Sequence, residues 1–488
     1  MRTWTHDIII IGGGAAGLSA TSGCAQLGMK TALIEPNRTG GDCLYHGCVP
    51  SKSLLKSSSV SFGIREAGRY GISPKPAEHL SLPVGYGPVT GRIDGIISSI
   101  APHDSPARFR SLGADVYEQS ARFSDPHTLK LDDATILSAR SIVLATGSRP
   151  RIFPIPGLKE ARYITNVDIF SLDKLPSSLA VIGGGPIGVE MAQAMTRLGV
   201  KVTVIEAADQ ILLREDADMA AVIRERLEEE GVAIHEGSTV ASVSRRNGRK
   251  QISIADGSSL EVEEILLAVG RIGNTEALNI EAAGVKVENG FFQVDSALRT
   301  SVPHIMAIGD CNGRYLFTHA AGAEAALVVR RAALHLPGRI DYSALPWVTY
   351  TEPELASVGY NEKRAKAEGI AFQVASVSMS SNDRARAEGE TGGKLKILYN
   401  ARKQILGVQI AGPHAGEMLM PGVFAVAGKW KLGKLLGPVY PYPTVSEVYK
   451  SAAGQILGPA LFNNRVRSIL RVLFRYRGTG PVGETEHE

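Results

Sequence analysis

One glycine-rich unit occurs twice in the chain, and the copies keep a single offset over strand, turn, helix and acid. Residues 7–35 read as strand, turn, helix and strand. Ile8-Ile9-Ile10-Ile11 is a continuous β-branched run, the pattern of a strand buried on both faces. Gly12-Gly13-Gly14-Ala15-Ala16-Gly17 follows, a helix is expected over 15–28, and Thr31-Ala32-Leu33-Ile34-Glu35 is a second strand with an acid at its tip. Val181-Ile182 then leads into Gly183-Gly184-Gly185-Pro186-Ile187-Gly188, and Val200–Glu206 closes the second unit. Gly17 and Gly188, Gly28 and Gly199, and Glu35 and Glu206 all stand 171 residues apart. Glycines let backbone approach a pyrophosphate, a helix N-terminus holds its charge, and the acid accepts ribose hydroxyls. A lone Gly-x-Gly-x-x-Gly is weak, but in this context, met twice, it predicts two dinucleotide-binding folds.

The rest of the composition narrows the class. A chain of 488 residues exceeds what one core serves, so two to four domains are expected. A net charge of +4 is small for this length and gives no case for nucleic-acid binding. No run of eighteen apolar residues exists, and Met1–Asp7 passes directly into the first strand without a signal peptide. The expected address is the cytoplasm.

Between the two units lies Gly40-Gly41-Asp42-Cys43-Leu44-Tyr45-His46-Gly47-Cys48-Val49-Pro50-Ser51-Lys52-Ser53. Four intervening residues suit thiols on one helical turn, close enough for a small disulfide. A helix N-terminus there would stabilise a thiolate. Two unrelated buried cysteines and a zinc half-site are the alternatives. Zinc wants a second pair or histidines at ligand spacing, and Cys24 and Cys311 stand alone, so no metal site is expected.

Ser141-Ile142-Val143-Leu144-Ala145-Thr146-Gly147-Ser148 is a buried strand ending in a small-residue turn, echoed by Ile265-Leu266-Leu267-Ala268-Val269-Gly270-Arg271. Residues 303–310 form another short strand ending in Gly309-Asp310, ahead of a helix over 318–335. An acid there suits a polyol or ribose hydroxyl, with an N-cap as the plainer reading. From about Trp347 the texture becomes α+β, with strands at Phe372–Met379, Lys394–Tyr399 and Ile405–Ile410, and it closes with Tyr440-Pro441-Tyr442-Pro443-Thr444-Val445-Ser446-Glu447. Residues 461–478 carry Arg465, Arg467, Arg471, Arg475 and Arg477 and no acid, interleaved with apolar residues. Such a segment suits either an anionic membrane surface or packing on its own protein or a dimer mate. Residues 478–488 read as disordered.

From about residue 5 to about 455 these motifs, in order and spacing, resemble the pyridine nucleotide–disulfide oxidoreductases, the FAD family of dihydrolipoamide dehydrogenase, glutathione reductase and mercuric reductase. The resemblance implies an α/β fold with two Rossmann-like dinucleotide-binding domains plus a C-terminal α+β dimerisation domain, in a homodimer. It assigns 1–150 and 276–345 to an FAD-binding domain, 151–275 to an NAD(P)-binding domain, 346–457 to dimerisation and 458–488 to a basic amphipathic tail. FAD would meet Gly12, Gly14, Ala16, Gly17, Glu35, Gly41, Lys52, Thr146, Gly147, Gly309 and Asp310, and NAD(P)H would meet Gly183, Gly185, Gly188, Glu206 and Gly270. Lys52 would stand near the flavin with Glu190 as its partner. The implied reaction is a relay of two electrons among nicotinamide, flavin and a Cys43–Cys48 disulfide, with Cys48 on the flavin side and Cys43 as the interchange thiol. A carboxylate at Glu206 favours NADH over NADPH, since it repels a 2′-phosphate; Arg214 lies eight residues on, too far to cradle one.

The departures bear on substrate. Dihydrolipoamide dehydrogenases and glutathione reductases close with His-Pro-Thr-x-x-Glu, in which the His, held by the Glu, acts as acid/base for the interchange thiol of the partner subunit; here Tyr442 takes the place of that His, with Glu447 retained. Tyrosine is a poor proton acceptor at neutral pH. Mercuric reductases share the Tyr, and Arg214-Glu215-Asp216 and Asp383-Arg384-Ala385-Arg386-Ala387 look like that branch, but its C-terminal Cys-Cys pair is missing. His46, two residues before Cys48, is a candidate replacement base, with a surface-facing helix residue as the plain alternative. The expected acceptor is a small or protein-bound disulfide/dithiol of the lipoamide type, or a thiophilic metal ion such as Hg(II). A membrane-surface NADH:quinone-type reductase, peripheral at the inner membrane through 461–478, is the second reading. A binding protein without turnover fits poorly with intact Cys43, Cys48, Lys52 and Glu190.

Overall fold

The computed structural model describes residues 3–72 and 84–478, so the disorder expected at the C-terminus falls, past Gly478, outside the described residues. The chain divides into two compact units. One holds the residues up to Leu213 together with Arg224–Tyr342, and the other holds Arg214–Ile223 together with the residues from Ser343 onward.

In the first unit, the opening strand His6–Ile11 is central to a seven-stranded sheet. It pairs in parallel with Thr31–Ile34 on one side (Ile8 opposite Thr31) and with Ile136–Leu144 on the other (Ile8 opposite Ser141). Burial on both faces explains the unbroken isoleucines: Ile8, Ile9 and Ile10 have no exposed surface, each contributing about 2 kcal/mol. Ile305–Ala307 pairs in parallel with the C-terminal half of Ile136–Leu144, while Thr128–Leu131 runs antiparallel along its N-terminal half. The strand expected over 303–310 is therefore only three residues long. The chain then turns through a 3-10 segment, Gly309–Asn312, before the helix Thr318–Ala332. Asp310 lies inside that turn, so the N-cap reading is set aside; the backbone at the cap position belongs to Phe317.

The second glycine-rich unit builds a four-stranded parallel sheet in the order Ala233–His235, Lys201–Ile205, Ser178–Ile182, Glu264–Leu267. A three-stranded antiparallel meander over Val240–Val262 accompanies it. Each sheet delivers its strand tip to a glycine turn and a twelve-residue helix, Ala15–Gln26 in one and Pro186–Arg197 in the other.

The second unit is a five-stranded antiparallel sheet ordered Pro346–Thr349, Glu354–Gly359, Ile405–Gly412, Lys394–Tyr399, Gln373–Ser378. The edge strand Gln373–Ser378 alternates exposed and buried residues, as a strand with one solvated face must, whereas Lys394–Tyr399 is buried almost throughout. Its core packs Leu395, Ile397, Val408 and Ile410 against Tyr449 and Ala452 of the helix Val448–Leu461. The fold is the α/β arrangement expected, with an α+β unit at the C-terminal end.

Candidate active site

The two cysteines do not share one helical turn. Cys43 belongs to a short helix, Gly41–Tyr45, which stops at His46. Gly47 then adopts an irregular backbone and Cys48 is the first residue of an eighteen-residue helix, Cys48–Arg65. A Cβ at Gly47 would lie 3.0 Å from the Asp42 carbonyl oxygen, so a bare glycine lets the two helices fold back closely. The reversal brings both sulfurs to one hydroxyl. Thr318 Oγ1, at the start of Thr318–Ala332, donates to Cys43 Sγ at 3.1 Å and lies 3.5 Å from Cys48 Sγ.

All four cysteines are thiols in this structure, Cys43 half-buried and Cys48 exposed. The neighbouring Cys43, the Thr318 hydroxyl and the nearby Lys52 ammonium lower the Cys48 thiol to about 6, against the opposing effect of burial. Cys43 moves the opposite way, because its proton is held by Cys48 and it is partly desolvated. Burial instead pushes Cys24 up to about 11 and Cys311 up to about 12, which leaves them inert.

Around the pair, Lys52 Nζ donates to Glu190 Oε2 at 2.8 Å, joining the Cys48–Arg65 helix to Pro186–Arg197. The buried Asn166 donates to the His46 carbonyl at 2.8 Å. The His46 ring is half-buried and makes no hydrogen bond among the described residues. Arg271 ties this loop to Ser148 and, through it, to Asp310. It pairs with Asp42 at 2.9 Å and donates through Nε to Ser148 Oγ at 2.7 Å. Ser148 in turn donates to Asp310 Oδ2 at 2.6 Å. Burial raises the Asp310 carboxyl above its usual range, and this hydrogen bond opposes the rise.

The two glycine turns are alike down to their hydrogen bonds. Glu35 accepts from the backbone N–H of Gly13 at 2.7 Å and of Asn37 at 2.8 Å. Glu206 accepts from Gly184 at 2.6 Å and Ala208 at 2.7 Å. A Cβ at Gly17 or Gly188 would sit 1.9 Å from the carbonyl oxygen of Gly12 or Gly183, so these positions admit only glycine. Gly14 and Gly185 cap the two helices and are open on the side where a Cβ would project, with nothing nearer than Gly41 Cα at 3.9 Å in the first and nothing within 4 Å in the second. That bare backbone at a helix N-terminus fits a phosphate in each fold. Gly41 lies against Gly14, Ala16 is buried against Gly309, and Gly309 donates to the buried Glu324 at 2.6 Å. Thr146 donates to the Asn274 carbonyl, the Gly147 carbonyl accepts from Asn274, and the Gly270 carbonyl accepts from Arg151.

In the C-terminal unit, Tyr442 is exposed and its hydroxyl donates to Asp383 Oδ2 at 3.1 Å, which raises its pKa further. Glu447 is not bonded to residue 442; it closes a capping box with Thr444. The Arg214 carbonyl accepts from Asn361. Three carboxylates, Asp216, Asp218 and Glu362, lie close enough to hold a cation, and the Lys396 ammonium takes that position at 3.0, 2.8 and 2.6 Å.

Thr318 and Asn166 carry no motif, whereas Ser148 ends the small-residue turn over 141–148 and Asp383 opens Asp383-Arg384-Ala385-Arg386-Ala387; the fold alone sets their partners, Asp310 and Tyr442. Of the first two, only Thr318 had a hint, as a hydroxyl at the start of the helix that follows Gly309-Asp310.

Residues 6–325 match the family model of the pyridine nucleotide-disulphide oxidoreductases, and 345–453 match the dimerisation domain of that family. Dihydrolipoyl dehydrogenase from Chlamydia muridarum is 34% identical over 454 residues, 92% of this chain and 96% of that one. Its counterpart from Bacillus subtilis is 32% identical over 477 residues, 93% and 99% of the two chains. Among solved structures, LpdA from Mycobacterium tuberculosis superposes with a TM-score of 0.83 at 26% identity, covering 92% of this chain and 99% of that one. The Cu(II) complex of the HOCl-induced flavoprotein disulfide reductase RclA from Escherichia coli gives 0.82 at 26%, covering 93% and 100%.

Proposed function

The chain belongs to the pyridine nucleotide-disulphide oxidoreductases, flavoenzymes that use FAD and NAD(P)H, and from that premise we propose that it exchanges electrons between NADH and a lipoamide-type dithiol or disulfide through Cys43 and Cys48. The observation that carries the reading is the convergence of the two sulfurs on one hydroxyl, Thr318 Oγ1, with the Lys52 ammonium nearby. FAD, when bound, passes two electrons between the nicotinamide and this pair.

The roles of the chain's own groups follow from their chemistry. A substrate thiolate attacks Cys43 Sγ of the disulfide and expels Cys48 as a thiolate, and the second substrate thiol then displaces Cys43 to leave substrate disulfide and enzyme dithiol. Cys48 is the better leaving group because the Thr318 hydroxyl and the Lys52 ammonium stabilise its thiolate. The Lys52–Glu190 pair sets the charge beside the flavin site and fixes the Cys48–Arg65 helix. Gly14 and Gly185 would receive the pyrophosphates of FAD and the nicotinamide nucleotide, and Glu35, Asp310 and Glu206 would receive hydroxyls. A carboxylate at Glu206 repels a 2′-phosphate, which favours NADH.

Interchange releases a proton that needs an acceptor. Tyr442, its hydroxyl tied to Asp383, serves as a donor and not as a base. His46, between the two cysteines in sequence, is the titratable group assigned to that proton. The Tyr442 substitution also supports a second reading, in which the pair reduces a thiophilic metal ion.

An anaerobic panel of NADH and NADPH against lipoamide, small disulfides, Hg(II) and a quinone tests the proposal. Lipoamide turnover with NADH, lost in Cys43→Ser, is the expected result. Turnover with quinone alone, unaffected by that substitution, would refute it.

A further inference from the structure

The dimerisation-domain match ends at residue 453, and the chain continues into a helix, Asn464–Phe474, that the redox chemistry does not use. Asn463 caps it, its side chain accepting from the Val466 N–H at 2.9 Å, so the helix starts as a separate element after Val448–Leu461. Val466, Ile469, Leu470 and Leu473 recur at i, i+3, i+4 and i+7 and form one apolar face, with Asn464, Arg467, Ser468 and Arg471 opposite. Val466 and Leu470 are half-buried, whereas Ile469, Val472, Leu473, Phe474 and Tyr476 are each half or more exposed. Arg465, Arg471, Arg475 and Arg477 are exposed as well, and residues 461–478 hold five arginines and no acid.

We propose that this helix docks the enzyme on an anionic lipid surface, lying in the interface with Ile469, Leu473 and Phe474 among the acyl chains and the arginines on the headgroup phosphates. Charge complementarity decides the occupant. A second copy laid on this face about a two-fold axis would set arginine against arginine with no carboxylate in the segment to relieve them. An anionic bilayer supplies both the apolar phase and the countercharge. Among the described residues no helix is long and apolar enough to cross a membrane, so the contact is peripheral.

The test uses the full-length holoenzyme and vesicles of phosphatidylcholine with about 30% phosphatidylglycerol, beside pure phosphatidylcholine vesicles, in a flotation assay. The wild type is expected to float with the anionic vesicles only, and to be released as salt rises. Ile469→Asp with Leu473→Asp, and separately Arg465→Gln with Arg467→Gln and Arg471→Gln, should each lower the bound fraction by about tenfold or more, with NADH oxidation in solution unchanged. Absence of wild-type binding to anionic vesicles, or equal binding by either variant, would overturn the proposal. So would a wild type that ignores vesicles while the aspartate variant changes oligomeric state in light scattering, which would make the face a protein contact.

Discussion

Lys52 Nζ and Glu190 Oε2 stand 2.8 Å apart although 138 residues separate them in the chain. The glutamate side chain is 6% exposed and the lysine side chain 35%, so removing the lysine leaves a desolvated carboxylate without this partner. Lys52→Ala is expected to slow flavin reduction by NADH by about tenfold or more. Stopped-flow at 450 nm, about where an oxidised flavin absorbs, measures this. A rate within twofold of wild type would remove Lys52 from the electron path.

The charge on Cys48 gives a pH prediction. A thiol lowered to about 6 is ionised above that pH and protonated below it, so the thiolate–flavin absorbance of the two-electron-reduced enzyme should persist at pH 8 and fade as pH drops through about 6. Cys43→Ser, which has no disulfide to reduce, should show this absorbance already with its flavin oxidised, since a serine hydroxyl can still donate, while disulfide turnover is abolished. Cys48→Ser should lose both.

Thr318 contributes to that ionisation through its hydroxyl, and the aliphatic part of the side chain does not. Thr318→Val should move the fade of the long-wavelength band to higher pH, and Thr318→Ser should restore it. An unmoved titration in Thr318→Val would show the contact to be incidental.

Proton handling separates Tyr442 from His46. With its hydroxyl held by Asp383, Tyr442→Phe should change lipoamide turnover by less than about threefold, whereas Tyr442→His should raise dithiol oxidation about tenfold by supplying a base. His46→Ala should lower it by about tenfold at pH 7, with flavin reduction by NADH unaffected. A His46→Ala enzyme with normal dithiol turnover would return that residue to a purely structural role.

Nucleotide choice is read as a ratio. Glu206→Ala should raise kcat/KM for NADPH relative to NADH by about tenfold, because the repulsion of a 2′-phosphate is gone.

Much of this architecture is legible in the chain because its causes are local. A glycine forced by a carbonyl 1.9 Å from its would-be Cβ, and a run of isoleucines with both faces covered, leave marks that need no partner to be read. The Cys43–Cys48 spacing, by contrast, predicts one turn of helix, and the break at His46-Gly47 follows from how the Gly41–Tyr45 helix folds back on Cys48–Arg65. Thr318 meets Cys43 across 275 residues, and Lys396 meets Asp216 across 180. No periodicity encodes such contacts. The Lys396 site shows the limit most plainly, since Asp216 and Asp218 meet the distant Glu362 around a cation that the protein itself supplies.

The amides that Glu35 and Glu206 each accept have a consequence for redesign. Each acid is a bracket that holds its own glycine turn in shape, so it is oriented before any nucleotide arrives. A substitution chosen only to relax discrimination would also unfasten Gly184 and Ala208, or Gly13 and Asn37. Specificity and scaffold are therefore mortgaged to the same side chain, and an engineer who wants NADPH must find a replacement that still accepts from both N–H groups. Sequence drift at these two positions should be rarer than a binding role alone would require.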